Sequence, residues 1–150
     1  MDVLITGSTG MVGKSVLYEC IKDDRINKIY LINRSSNGIK SLKISELIIK
    51  DFLSVKNIKS KIKNLDACFH CMGISSFGHN KKYYYKVTYK MTKLITDLVY
   101  EINPRAVMTY VSGEGTNAKE NSKISWANVK GKTENYILNK GLKDSYMIRL

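Results

Sequence analysis

The sequence has a single proline and only three cysteines in 150 residues, and each count excludes something. A lone proline, Pro104, leaves little room for rigid extended linkers and fits a compact domain. Cys20, Cys68 and Cys71 all lie in apolar stretches, so a stapled loop framework is excluded and a reducing compartment is expected. No apolar run approaches the roughly 20 residues that span a bilayer. Met1-Asp2 leads straight into Val3-Leu4-Ile5-Thr6, without the basic segment, long apolar stretch or cleavage site of a secretory leader. A cytoplasmic chain with no membrane span is the expectation.

Acids are scarce too. Thirteen Asp and Glu face 25 Lys and Arg, for a net charge of +12. Nucleic acid is one partner such a balance suggests. The excess, however, is lysine scattered along the whole chain, and arginine occurs only at Arg25, Arg34, Arg105 and Arg149. Nucleic-acid readers lean on arginine for bidentate contacts, so a solvated lysine surface is the better reading.

What is present is a core-forming share of apolar residues, 43%, with no repeat, low-complexity tract or shift in composition. One domain over 1–150 is expected. Short apolar runs alternate with amphipathic segments, the pattern of βαβ units around a parallel sheet. The predicted strands are Val3–Thr6, Lys28–Ile32, Glu46–Lys50, Ala67–Cys71, Ala106–Ser112 and Ser145–Arg149. Several are nearly continuous apolar runs, as strands covered on both faces should be. The helices between them carry a 3.6-residue period. Val12, Val16, Leu17, Cys20 and Ile21 share one face of the first, and Val87, Met91, Leu94, Ile95, Leu98 and Ile102 one face of another. Lys82, Lys86, Lys90 and Lys93 fall opposite, as a solvated stripe. Asn103-Pro104 ends that helix. A last helix over Ser125–Leu138 is expected to bury Trp126, Val129, Thr133 and Ile137, with Gly141 as its stop.

The first strand runs into Gly7-Ser8-Thr9-Gly10-Met11-Val12-Gly13, and a helix follows. Gly7 permits the tight turn, Gly10 lets backbone approach a pyrophosphate, and Gly13 lets helix and sheet pack closely. Amides at the helix start, at the positive end of its dipole, hold phosphates. At this strand–turn–helix junction the triplet predicts a dinucleotide-binding Rossmann domain, an α/β fold with a doubly wound parallel sheet of about six strands. A Walker loop is the rival, because Gly13-Lys14-Ser15 ends like one. That motif requires glycine where Ser8 stands, and no strand closes on a magnesium-binding Asp, so ATP is rejected.

The end of the second strand selects the dinucleotide. An acid there bonds the 2′-hydroxyl of NAD, whereas an arginine nearby accepts the 2′-phosphate of NADP. This chain has Asn33-Arg34-Ser35-Ser36, and no acid between Arg25 and Lys43. Arg34 supplies a fixed cation and Ser35 a hydroxyl donor, so NADP is expected over NAD. Asp51-Phe52 is placed beside the adenine.

The opening turn, the strand ending Cys71-Met72-Gly73, the strand ending Val111-Ser112-Gly113 and the segment Val129-Lys130-Gly131-Lys132-Thr133-Glu134 together resemble the atypical short-chain dehydrogenases. Within them the likeness is to the NAD(P)-dependent, epimerase-like group that includes the Tat-interacting protein oxidoreductase, and it covers essentially the whole chain. The resemblance implies cofactor contacts at Gly73 and Lys130. It also implies a catalytic Ser at the end of the fifth strand, matched by Ser112. A Tyr exchanges the proton, and a Lys four residues later lowers its pKa and holds the nicotinamide ribose; Lys130 matches that Lys. The Tyr position is Trp126, whose indole donates only and cannot shuttle a proton. Tyr110, Tyr136 and the tyrosines at 83–85 remain open as substitutes. The family's sixth strand runs on into segments that build a substrate pocket, and here little remains to do so.

Cys68, His70, Cys71 and His79 have a zinc-like composition, but alternation along a strand points Cys71 away from the first two, and no metal is expected. The leading reading is therefore an NADP-binding, oxidoreductase-like domain with impaired turnover on an unidentified small molecule. The alternative is a non-catalytic cofactor sensor or protein-interaction module, with a protein partner or a second copy of the chain.

Overall fold

The computed structural model describes residues 1–150, in which six strands pair in parallel. They are β1 (Asp2–Thr6), β2 (Lys28–Asn33), β3 (Ile44–Ile48), β4 (Ala67–His70), β5 (Val107–Ser112) and β6 (Asp144–Arg149). Their order across the sheet is β3-β2-β1-β4-β5-β6. The chain therefore winds outward from β1 in both directions. A crevice opens where the direction switches, between the carboxyl ends of β1 and β4.

Period-two alternation divides the core between the faces. Leu4, Tyr30, Ile32, Cys68, Met108 and Tyr110 point into the larger cluster. Val3, Ile5, Ile29 and Leu31 point into the smaller one, against Leu17 and Cys20 of helix α1 (Met11–Lys22). On the α1 side, the register sets Tyr146 and Ile148 of β6 beside Thr109 and Val111, and both remain about half exposed.

Several elements depart from the sequence pattern. β3 begins at Ile44, two residues before the expected start, because pairing with β2 opens opposite Ile29. No helix joins β2 to β3. The crossover from β3 to β4 is a 3-10 helix, Phe52–Lys61, in place of an α-helix. Its buried residues are Phe52, Val55 and Ile58, a spacing of three that matches three residues per turn.

The long helix is composite: α2 (Lys81–Tyr85), a π-helical turn over Lys86–Met91, and α3 (Thr92–Ile102). Val87, Ile95 and Leu98 are buried, while Met91, Leu94 and Ile102 pack at the edge of the core. Lys82, Lys86 and Lys90 are exposed, but Lys93 leaves the solvated stripe to pair with Asp97 at 2.7 Å. Asn103 caps α3 as expected, and its amide donates to Leu65 O.

Helix α4 (Ser125–Leu138) has the expected limits and a different buried face. Ala127, Gly131, Thr133, Glu134 and Ile137 point inward, and Trp126 and Val129 are only half-buried. Gly131 sits on the inner face. A Cβ there would overlap the Asn117 carbonyl, so the bare backbone lets α4 press against that loop. In the first helix likewise, Gly13, Leu17 and Cys20 are buried, and Val12, Val16 and Ile21 lie at the margin.

Candidate functional site

The glycine turn is held together by its own backbone. Gly7 has φ +72°, and a Cβ on it would come within 2.7 Å of the Cys71–Met72 peptide, so the ends of β1 and β4 can touch only through glycine. Gly10 N donates to Gly7 O at 3.0 Å, and Lys14 N to Gly10 O at 2.9 Å, which opens α1. At Gly13 a Cβ would strike the carbonyl of Gly7, the residue just past β1, so the bare backbone lets the start of the helix close on the strand end. Gly10, in contrast, has only Gly7 O within 4 Å of its missing Cβ, at 3.4 Å. The space beyond it is open.

Helix α1 begins there with no side-chain cap and no acid in its first turn. The amides of Met11, Val12 and Gly13 precede the first intrahelical bond and have no side-chain acceptor, so the positive helix end is uncompensated. It borders an open cleft that is lined by Gly7, Thr9, Gly10, Ile32, Asn33, Arg34, Phe52, Cys71, Met72, Gly73, Ile74, Tyr83, Val87 and Met91.

The predicted residues divide around this cleft. Arg34 lines it, is exposed, and takes part in none of the ion pairs or side-chain hydrogen bonds. Ser35 is exposed but outside the lining. Of Asp51-Phe52 only Phe52 faces the cleft, because Asp51 caps the 3-10 helix by accepting from Leu53 N at 3.0 Å. Ser8 is fully buried and donates to Asn33 Oδ1 at 3.0 Å, so its hydroxyl braces the turn from behind. Glu46 was missed. From the edge strand β3 it accepts hydrogen bonds from Asn33, Ser36 and Asn37, and no spacing in the sequence announces that.

A second cluster stands at the end of β5. Ser112 is 5% exposed, with Oγ 3.2 Å from Thr116 Oγ1, whose own hydroxyl donates to Gly113 O at 2.6 Å. Lys130 lies over the Tyr110 ring, and burial pulls its pKa down while the nearby Glu134 opposes the change. Trp126 covers the turn after β5: a Cβ on Gly115 would lie 3.4 Å from its indole. Glu134, 2% exposed, receives Arg149 Nε at 3.1 Å and a second guanidinium nitrogen at 2.7 Å. Burial pushes the Glu134 carboxyl up, but the hydrogen bonds and charge of Arg149 oppose it, and the net shift is downward. None of Ser112, Trp126 and Lys130 lines the cleft, although Met72-Gly73 brings its wall to the neighbouring strand end.

Among the tyrosines considered as substitutes, only Tyr83 faces the cleft. Tyr110 is buried, with its phenol pushed upward chiefly by that burial. Tyr84 is buried, Tyr85 packs on Tyr89, and Tyr136 donates to Asp97. His70 has no exposure and is bracketed by Thr6 Oγ1 at 2.8 Å and Thr92 Oγ1 at 2.9 Å. Burial raises the Cys71 thiol to about 11. No three His, Cys, Asp or Glu side chains gather in metal-binding geometry.

With that geometry in place, three comparisons bear on it. The family described as NAD dependent epimerase/dehydratase matches residues 3–147. No curated protein matches the chain. Among solved structures, a short chain dehydrogenase from Burkholderia cenocepacia in complex with NADP superimposes with a TM-score of 0.81 at 13% identity, over 98% of this chain and 70% of that one. The Bordetella bronchiseptica enzyme WbmH in complex with NAD+ gives 0.78 at 14%, over 99% and 55%. The ADP-L-glycero-D-manno-heptose-6-epimerase of Helicobacter pylori gives 0.74 at 18%, over 99% and 54%. Such likenesses establish the fold. The chain thus spans little more than half the length of the last two of these relatives, and 48% and 54% of two further dinucleotide-bound structures of the same fold. No helix is long and apolar enough to cross a membrane.

Proposed function

The chain belongs to the NAD dependent epimerase/dehydratase family, and from that premise we propose that it binds a nicotinamide dinucleotide, NADP in preference to NAD. The observation that carries this is the uncapped start of α1. Its amides border a cleft left open by the missing side chain of Gly10, and that cleft runs to an unpaired Arg34. The donor set fits the group. The turn Gly7-Ser8-Thr9-Gly10 and the amides of Met11, Val12 and Gly13 would hold the pyrophosphate. Arg34, with Ser35 beside it, would take the 2′-phosphate; Phe52 would pack on the adenine, with Asp51 fixing its loop. Gly73 would leave room for backbone approach across the cleft.

A bound nicotinamide supplies or accepts a hydride. Lys130 would hold the ribose at that end and Ser112 would orient a carbonyl oxygen. The Trp126 indole donates a hydrogen bond but cannot act as an acid or base, so an oxidoreductase or epimerase step on a small molecule would be slow. The test of the cofactor reading is a fluorescence titration with NADPH and NADH. The wild-type chain binds NADPH more tightly, and Arg34→Asp weakens NADPH at least tenfold while sparing NADH. Equal affinities that Arg34→Asp leaves unchanged would overturn the preference.

A second reading, a cofactor sensor or interaction module without turnover, is favoured by one observation. The Trp126 indole lies across Gly113–Gly115, and the Ser112 hydroxyl is already engaged by Thr116.

A further inference from the structure

Glu46 belongs to none of the motifs read from the sequence, yet it organises the loop at the adenosine end of the cleft. Its Oε1 accepts from Asn33 Nδ2 at 2.8 Å and from Asn37 N at 3.0 Å, and its Oε2 from Ser36 Oγ at 2.6 Å. Asn33 Oδ1 in turn accepts from Ser8 Oγ at 3.0 Å, and Asn37 Nδ2 donates back to Ser8 Oγ at 3.3 Å. Ser8, Asn33, Glu46 and Asn37 thus close a ring of hydrogen bonds. It ties the glycine turn to the end of β2, to the edge strand β3 and to the loop after β2.

Two consequences follow from the direction of those bonds. An ionised carboxylate only accepts, so Glu46 fixes the Asn33 amide with nitrogen toward β3 and oxygen toward Ser8. It also draws three donors, Asn33 Nδ2, Ser36 Oγ and Asn37 N, away from the cleft. The one charged donor left free in that segment is Arg34, which lines the cleft and pairs with nothing. Burial pushes the Glu46 carboxyl up, but the bonds from Ser36, Asn37 and Asn33 outweigh it and keep the group charged.

We propose that Glu46 is the positioning residue that sets this protein's discrimination between a 2′-phosphorylated and an unphosphorylated adenosine ribose, by holding the Asn33–Asn37 loop so that Arg34 is the one charged group that meets the 2′ position. The acid that governs selection stands on β3 and acts from behind the loop, where no residue of β2 itself is acidic. This rests on the dinucleotide reading above and adds a residue to it.

The test uses the full chain, in wild type, Glu46→Ala, Glu46→Gln and Asn37→Ala forms, each checked for fold by circular dichroism. NADPH and NADH affinities are read by fluorescence, and backbone amide exchange in the 34–38 loop is read without nucleotide. Wild type should favour NADPH at least tenfold. Glu46→Ala should bring the ratio close to one and speed exchange at Asn37. Glu46→Gln keeps the oxygen that accepts from both Asn33 and Asn37, so the ratio should stay within about twofold and the loop should stay protected. Asn37→Ala breaks the ring elsewhere and should also lower the ratio, which keeps the test decisive if Glu46→Ala does not fold.

A wild-type ratio retained in folded Glu46→Ala overturns the proposal and leaves cofactor binding standing. Loss of discrimination in Glu46→Gln equal to that in Glu46→Ala overturns it too, since the retained acceptor would then be irrelevant. If wild type binds neither nucleotide, the dinucleotide reading itself falls and takes the selectivity role with it. The exchange data then show whether the ring braces the loop alone.

Discussion

Lys130 holds its ammonium 5.4 Å from the centroid of the Tyr110 ring, at the boundary between the core and the end of β5. Helical spacing puts Lys130 one turn from Trp126, and the structure adds a partner from another element. The cation is thus fixed from below by an aromatic face, and burial lowers its pKa. A lysine so placed can tune a phenol, but position 126 offers an indole.

That arrangement predicts how turnover responds to substitution. General acid–base catalysis contributes about 10²–10⁴-fold, so NADPH-dependent carbonyl reduction by the unaltered chain should be very slow or absent. Trp126→Tyr should raise any measurable rate, and the gain should vanish when Lys130→Ala is added. Brisk reduction by the wild type that is lost on Ser112→Ala, yet indifferent to Trp126→Phe, would mean that another residue supplies the proton.

The glycines of the turn should separate binding from folding. Gly10 has φ −82° and open space beyond it, so Gly10→Val should fold normally and lose both nucleotides. Gly13→Ala should instead destabilise the protein, because the added methyl would meet the Gly7 carbonyl; a cost of about 1–3 kcal/mol is expected from forced backbone shifts. Urea midpoints and nucleotide titrations on the two variants check this. Undiminished affinity in a folded Gly10→Val protein would show that the phosphates sit elsewhere.

Gly131 offers a parallel test far from the turn. Gly131→Ala would drive a methyl into the Asn117 carbonyl, where Asn117 N also donates to Ala127 O at 3.0 Å. A loss of about 1–3 kcal/mol should appear in urea unfolding. Such a loss is opposite to the gain helix propensity gives alanine over glycine. A more stable variant would show that α4 does not press on that loop.

His70 should make stability depend on pH in a defined window. Burial, assisted by the charge of Lys130, lowers its pKa from an ordinary value near 6.5 to about 3. The unfolded chain therefore takes up a proton on this residue first as pH falls, while the folded chain stays neutral. Stability from this group is complete above about pH 6.5 and declines toward pH 3, by at most about 1.4 kcal/mol per pH unit. Urea unfolding between pH 7 and 4 should show a steeper decline in wild type than in His70→Gln. Equal slopes would mean that His70 is protonated in place.

The strand–turn–helix start, the six strands and the limits of α4 were legible in the sequence, because each depends on neighbours in the chain. Alternation along a strand, periodicity along a helix and a glycine where a turn needs positive φ are local facts. The places of Gly7, Gly10 and Arg34 along the cleft could be read for the same reason, each standing at a fixed distance from a strand end. What tertiary structure alone decided was which groups meet across elements. Gly131 owes its place to the carbonyl of Asn117, which no spacing rule contains. Trp126 follows the helical period of a core residue, yet it is only half-buried and lies over Gly115. Glu46 had no signal of its own, since an acid on an edge strand reads as solvated surface. It becomes a working part only when parallel pairing of β3 with β2 brings its carboxylate against the loop that Asn33 and Asn37 delimit.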